Sequence, residues 1–336
     1  MNRPILVVTH SGDLHADLVA ERLLARDARV FRLNLDQFPA EYRLDLPQIG
    51  GAPSGTLRHL PTQHEIAVAE IGAVWTRKSG DFRFLSDEDF GPQERAYAVA
   101  ETHHMLTSLL LTTNGYWMNH PMASQGAMWK GEQLQRAARF GFRVPPSLTA
   151  NDGDAVRRFR DAVGGELIFK PLSSPSLGGD DVDDADRIVP NLATTLITAE
   201  HEDMLDALRE LPGFFQQYIP KRYELRATVI GDRVFAARIH SQDDERTRTD
   251  YRDFSADIDY TADTLPAEIE RRCREFVHSY GLTFGALDLI FTPDGEYVFL
   301  ENNPAGQFLF VEQLVPELRM LDAVADCLID GAHRKG

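Results

Sequence analysis

The stretch Ala286-Leu287-Asp288-Leu289-Ile290-Phe291-Thr292-Pro293-Asp294-Gly295-Glu296-Tyr297-Val298-Phe299-Leu300-Glu301-Asn302-Asn303-Pro304 decides how this chain folds. Two apolar runs flank Pro293-Asp294-Gly295, so it reads as a hairpin with strands over 286–292 and 296–301. Across that hairpin Asp288 and Glu301 become approximate neighbours, and Glu301 and Asn303 share a face if the strand persists. Three oxygen donors then converge, a set that suits a hard cation such as Mg²⁺ carried by nucleotide phosphates. A solvated hairpin with a turn-forming Asn303 before Pro304 accounts for the same residues equally well.

Working outward, strands 225–230 and 233–240 are joined by Gly231-Asp232 as a second hairpin. Phe214-Phe215-Gln216-Gln217-Tyr218-Ile219-Pro220 is a strand that runs into a proline. Such a strand presents a free backbone donor and acceptor, which an adenine slot needs; a core strand is the plainer reading. Lys170 ends the apolar strand 167–170 and precedes Ser173-Ser174-Pro175-Ser176-Leu177-Gly178-Gly179. That pattern suits phosphate binding under a loop, while a lysine snorkelling from a sheet edge is the simpler account. A helix over 127–140 carries Lys130 and ends at Gly141, with Pro145 and Pro146 beyond it. A final helix spans 314–329.

The first third has a different texture. A short buried strand at 5–8, a polar turn, a helix with apolar Leu14, Leu18, Val19 and Leu23, and a strand at 29–33 form a βαβ unit. The turn Thr9-His10-Ser11-Gly12-Asp13 lacks the glycine pattern of a dinucleotide site, so this layer is Rossmann-like without that chemistry. A loop at 50–55, a strand at 73–77 and a long helix at 92–111 follow, and the domain boundary falls near 118. Asp13, His15 and Asp17 stand at a helix start, where caps and first-turn acids are favoured over metal ligation. The acidic run 178–186 lacks the register of a calcium loop. His103, His104, Phe308 and Phe310 read first as packing, with Phe308 alternatively a wall of the substrate cleft.

Composition agrees with two globular domains: 336 residues, 43% hydrophobic and 26% charged. A net charge of −17 opposes a nucleic acid or an anionic membrane as partner, yet it permits a compact anion held by a metal and a few local cations. Cys273 and Cys327 have neither disulfide-framework nor zinc spacing, which fits a reduced cytoplasm. No stretch reads as a signal peptide or a membrane span.

In chain order, Lys130, Lys170, the Gln216-Gln217-Tyr218-Ile219 segment, Asp288, Glu301 and Asn303 resemble the ATP-grasp superfamily. The resemblance implies an α/β chain: a Rossmann-like pre-ATP-grasp domain over 1–118, then an ATP-grasp fold over 119–336. The latter would divide into a central lid part, about 119–215, and a C-terminal part, about 216–336. By the same resemblance Lys130 and Lys170 contact ATP phosphates, and Gln217 and Ile219 lend backbone groups to adenine. Glu224 holds the ribose, and Asp288, Glu301 and Asn303 hold Mg²⁺.

A narrower resemblance is to the microviridin-type graspetide macrocyclases, which close ester or amide rings in ribosomal peptides. It rests on Phe31-Arg32-Leu33-Asn34-Leu35-Asp36-Gln37-Phe38-Pro39, Val74-Trp75-Thr76-Arg77-Lys78, His240-Ser241-Gln242 with Asp250-Tyr251-Arg252, and Glu301-Asn302-Asn303-Pro304-Ala305-Gly306-Gln307-Phe308-Leu309-Phe310-Val311-Glu312. Four departures stand out: Gln216-Gln217 where a glutamate is common, Tyr251 for tryptophan, Lys78-Ser79 for Arg-Pro, and Ala286 where D-alanine ligases carry an arginine. The stabilising cation must then come from Arg226, Arg238 or Arg252, with Arg238 assigned to the transferring phosphoryl group. Arg252 and Asp250 are assigned to the core peptide, Asp250 as a base, with a structural ion pair an equal alternative.

The resemblance implies a cytoplasmic ligase that activates Asp or Glu side chains of a leader-plus-core precursor peptide as acyl phosphates and crosslinks them. It involves no nucleic acid and no membrane, and it allows a homodimer. The alternatives are a ligase adding an amino acid to a protein tail or small carboxylate, and a non-catalytic ATP-binding module.

Overall fold

The computed structural model describes residues 3–78, 80–173, 194–253 and 255–334. The chain opens with β1 (Ile5–Thr9), α1 (Leu14–Leu24), β2 (Val30–Asn34), β3 (Tyr42–Asp45), β4 (Thr56–His59), β5 (His64–Ala67), β6 (Ala73–Thr76), α2 (Pro92–Thr112) and β7 (Tyr116–Met118). Strands β2-β1-β6-β7 form a parallel sheet. Every residue of β1 is buried because both faces of that sheet are covered. Ile5 and Val7 pack on one side with Val19 and Leu23 of α1, and Leu6 and Val8 on the other with Leu106 and Leu109 of α2.

The loop read at 50–55 is a loop in the structure, but it connects strands that the sequence reading lacks, in a three-stranded antiparallel sheet, β3-β4-β5. Each strand is four residues long and buries one side chain, Tyr42, Leu57 or Ile66, too short an alternation to signal a strand.

The chain continues through α3 (Pro121–Gly126), α4 (Lys130–Arg139), β8 (Ser147–Ala150), α5 (Gly153–Val163), β9 (Leu167–Lys170), β10 (Thr195–Ile197) and β11 (Gly213–Gln217). Strands β10-β9-β11-β8 form a second, antiparallel sheet. The expected helix over 127–140 therefore starts at Lys130, behind a separate turn of helix. The last portion comprises β12 (Tyr223–Ile230), β13 (Arg233–Ile239), β14 (Tyr260–Asp263), α6 (Ala267–His278), β15 (Phe284–Phe291), β16 (Tyr297–Asn303), α7 (Leu309–Leu314) and α8 (Met320–Arg334). Its five strands pair antiparallel in the order β14-β13-β12-β15-β16. The single final helix of the sequence reading is two, because Pro316 and the left-handed Arg319 (φ 49°) interrupt it. Apolar residues of α8 join the core formed by α1 and the first sheet, so the end of the chain completes its beginning.

No helix of the described residues is long and apolar enough to cross a membrane. The loop over 174–179 and the acidic run over 178–186 lie outside the described residues.

Asn119, buried just after β7, joins the first sheet to the last. Its Nδ2 donates to the carbonyls of Phe284 (2.8 Å) and Pro304 (2.7 Å). Its Oδ1 accepts from the amides of Thr283 (2.8 Å) and Phe284 (2.9 Å). Asn119→Ala orphans several buried groups at about 1–3 kcal/mol each, so an overall loss of about 3 kcal/mol is expected in urea unfolding.

Candidate active site

The β15–β16 register sets Asp288 directly opposite Glu301, with an irregularity just after Asp288, and pairs Ala286 with Asn303. One face thus carries both carboxylates and the Asn303 amide. Asp288 accepts from Arg226 Nη1 at 2.7 Å and faces the Tyr251 hydroxyl at 3.4 Å. Glu301 accepts from Lys130 Nζ at 2.8 Å and lies 3.9 Å from Arg252 Nη1. Burial pushes the Asp288 carboxyl up, and the charge of Glu301 adds to that against the pull of Arg226. Burial acts on Glu301 too, but Lys130, Lys170 and Arg252 outweigh it and bring the group down to about 2. Lys170 is lowered by burial, with Lys130 and Arg252 adding to the effect. Asn303 is exposed, and its Oδ1 accepts from the Ala305 amide at 3.1 Å.

A cleft of about 530 Å³ of empty space runs from this face between the second and third sheets. Lys170 reaches into it from β9 and donates to Gln216 Oε1 at 3.1 Å, and Gln216 in turn donates to Ser147 Oγ at 3.0 Å. Gln217 turns its side chain to the carbonyls of Val163 and Gly164, and its amide goes to Pro146 O. The Tyr218 amide goes to Glu166 O, and its hydroxyl to Arg248 O. Beyond it the Ile219 side chain packs with Ile290 and Val298 into an apolar wall, and its amide meets no backbone carbonyl of the described residues. Glu224 forms a buried pair with Lys221 at 2.7 Å, and Lys221 also donates to Thr249 O. Burial raises the Glu224 carboxyl against that lysine. Asp250 receives two bonds from the Arg252 guanidinium, at 2.8 and 2.7 Å, and one from the Arg252 amide at 3.1 Å, which hold it low despite burial.

Arg238 does not join these residues, which corrects the sequence reading. On β13 it pairs with Leu225, whereas Arg226 and Asp288 pair with each other one position on, so Arg238 faces the other side of the sheet. There it stacks 4.2 Å from the Tyr223 ring centroid and binds Asp263 at 3.0 Å. A second space, of about 1410 Å³, opens on the far side of Lys130, Lys170 and Glu301 and is bordered by Met128, Trp129, Leu172 and Asn303.

Gln133 went unread in the sequence, and Gly306 was read only as part of a longer motif. Gln133, one turn after Lys130 on α4, donates to Asn302 O (2.9 Å) and accepts from Asn302 N (2.8 Å), which seats Lys130 against Glu301. The i, i+3 spacing of the two was the available signal. The second residue lies in the loop after β16. Gly306 packs there so closely that a Cβ would lie 2.6 Å from that of Ala286. Ala286 thus makes room for this loop, and the guanidinium comes from Arg226 on the neighbouring strand.

Opposed acid side chains with two lysines between two antiparallel sheets, behind a parallel N-terminal sheet, make up an ATP-grasp fold, and the chain is an ATP-dependent ligase of that fold. Residues 4–125 match the MvdD pre-ATP grasp domain, and the chain is similar to solved ATP-grasp enzymes that act on ribosomal peptides. The macrocyclase MdnC of Microcystis aeruginosa, solved with its precursor peptide MdnA, is 29% identical over 97% of this chain and 99% of its own (TM-score 0.83). A ribosomal-peptide-associated ATP-grasp ligase of Chryseobacterium gregarium, solved with ADP and leader and core peptides, is 28% identical over 98% and 97% (TM-score 0.87). The ligase PsnB, solved with a phosphomimetic minimal precursor, Mg and ADP, is 25% identical over 97% and 98% (TM-score 0.76). No curated protein matches significantly by sequence.

Two substitutions test this geometry. Gly306→Ala is expected to cost about 1–3 kcal/mol in urea unfolding, whereas Gly126→Ala, with open space around its Cβ, leaves stability nearly unchanged. Lys221→Met leaves Glu224 without its cation. Because the Glu224 pKa in the folded state is already raised, the variant's deficit is smallest below about pH 4.5 and grows as pH rises, by about 3–5 kcal/mol if the carboxylate stays charged. Urea unfolding at pH 4.5 and 8 reads the difference.

Proposed function

We propose that this enzyme uses ATP to activate Asp or Glu side chains of a ribosomally made precursor peptide, with leader and core parts, and closes intramolecular ester or amide crosslinks. The observation that carries the reading is the Asp288–Glu301 opposition with Lys130, Lys170 and Arg252 around it, at the end of a cleft walled by Ile219 and Ile290. The nucleotide lies along that cleft, with its adenine against Ile219 and the Gln217 and Ile219 backbone, its ribose near Glu224, and its phosphates toward Lys170 and Lys130.

Asp288, Glu301 and Asn303 offer only oxygen donors on one face, which fits Mg²⁺ bound jointly with phosphates; among the described residues no cluster of three His, Cys, Asp or Glu side chains could hold a metal unaided. When bound, the ion neutralises phosphate charge. Lys130 then exchanges Glu301 for a phosphate oxygen, and Lys170 is already aimed into the cleft by Gln216. Arg226 and Arg252, with Arg238 excluded by its orientation, are the guanidinium groups near the developing charge. Transfer of the γ-phosphoryl group to a substrate carboxylate makes an acyl phosphate; a hydroxyl or amine of the same peptide displaces phosphate. Asp250, held low by Arg252, orients that arginine toward the core peptide. Domains at 1–118 and 119–336, the second divided near 215, are part of this reading, supported by the separation of the sheets at β7 and β11.

The test is mass spectrometry of a short precursor encoded beside the gene, incubated with enzyme, ATP and Mg²⁺. The expected product has lost one water per bond, and Lys170→Ala slows its formation by about 10²-fold. A gain equal to an added amino-acid residue would establish the tail-adding alternative instead. Turnover unaffected by Lys170→Ala would remove the site assignment.

A further inference from the structure

We propose that His15, on the first helix of the N-terminal sheet, is a positioning residue for the metal face, acting through one peptide group of the loop after β16. The inference rests on the nucleotide site read above.

His15 Nε2 accepts from the amides of Phe308 and Leu309, both at 3.2 Å. On the other side of the same peptide plane, Gln307 O accepts from Arg226 Nη2 at 3.3 Å, while Arg226 Nη1 binds Asp288. A trans peptide directs its N–H and C=O oppositely, so fixing the Phe308 amide on His15 aims the Gln307 carbonyl at Arg226. Arg226 Nε is buried and has no partner, which leaves the carbonyl and Asp288 to set its direction.

His15 is itself held. Asp13 Oδ1 lies 3.5 Å from Nδ1, so Nδ1 carries the proton and Nε2 is free to accept. Asp13 is fixed by Thr9 Oγ1 at 2.7 Å and Arg77 Nε at 3.4 Å. Arg77 also donates to Ala305 O at 3.5 Å, which anchors the near end of the same loop. The charged groups acting on His15 are Asp13, Arg77 and Lys78, and burial lowers its pKa, consistent with a neutral acceptor.

The experiment is calorimetric titration of the full chain with ADP, with and without Mg²⁺, for wild type, His15→Ala and His15→Gln, each checked by thermal melting. Gln keeps an acceptor near the Nε2 position; Ala does not. The expected result is equal metal-free ADP affinity in all three proteins. The gain in affinity from Mg²⁺ falls about tenfold in His15→Ala and is kept in His15→Gln. Wild-type binding with the same Mg²⁺ gain in all three, or with Gln as impaired as Ala, overturns the proposal alone. Absence of ADP binding by the wild type overturns the site reading and the proposal with it.

Discussion

Two carboxylates stand opposite each other across one β-register, at a depth where neither is well solvated. Like charges so placed cannot both ionise unless cations compensate them. The compensation comes from four elements: Arg226 from β12, Lys130 from α4, Lys170 from β9, and Arg252 from the segment between β13 and β14. The outcome is asymmetric. Asp288 is raised by burial and keeps one guanidinium, while Glu301 is held low by three cations. That asymmetry leaves one face with spare positive charge beside the cleft, a local exception to a chain charge of −17.

The N-terminal sheet reaches this face through the loop that follows β16. In open parallel sheets, ligands enter the crevice at the carboxyl ends of strands where the strand order reverses. Here β1 lies between β2 and β6, and the segments following β1 and β6 carry Asp13, His15 and Arg77. What those residues bind is the chain's own 305–309 loop, through Ala305 O and the amides of Phe308 and Leu309. At the ends of β1 and β6 the turn that lacks the dinucleotide glycines meets a loop of the chain itself.

Much of the fold was legible. The β1–α1–β2 unit, both C-terminal hairpins and the order of lysines, strand and acids follow from periodicity and turn residues, which act over a few positions. The turn brings Asp288 and Glu301 into approximate proximity, but the irregularity just after Asp288 is what sets them directly opposite each other. Arg238 was legible in the same way: the two-residue Gly231-Asp232 turn pairs Ile230 with Arg233 and therefore Leu225 with Arg238, which turns Arg238 away from Arg226. Gln133 went unread, and His15 was read only as part of a helix start, for another reason. Each sits on a helix with an ordinary local explanation, and its partner lies far along the chain.

The sequence by itself determined the local elements, the acidic balance, the absence of a dinucleotide turn and the set of oxygen donors on one hairpin. Those are properties of neighbours in the chain, where spacing and residue type suffice. Only the tertiary structure decided which cations neutralise Asp288 and Glu301, that an irregularity after Asp288 sets the two opposite each other, and that Asn119 and His15 bind the hairpin and its loop to the first sheet. These contacts join separate elements, 62 residues apart for Arg226 and Asp288 and 293 for His15 and Phe308, so they depend on how sheets pack and register, and no local pattern encodes that.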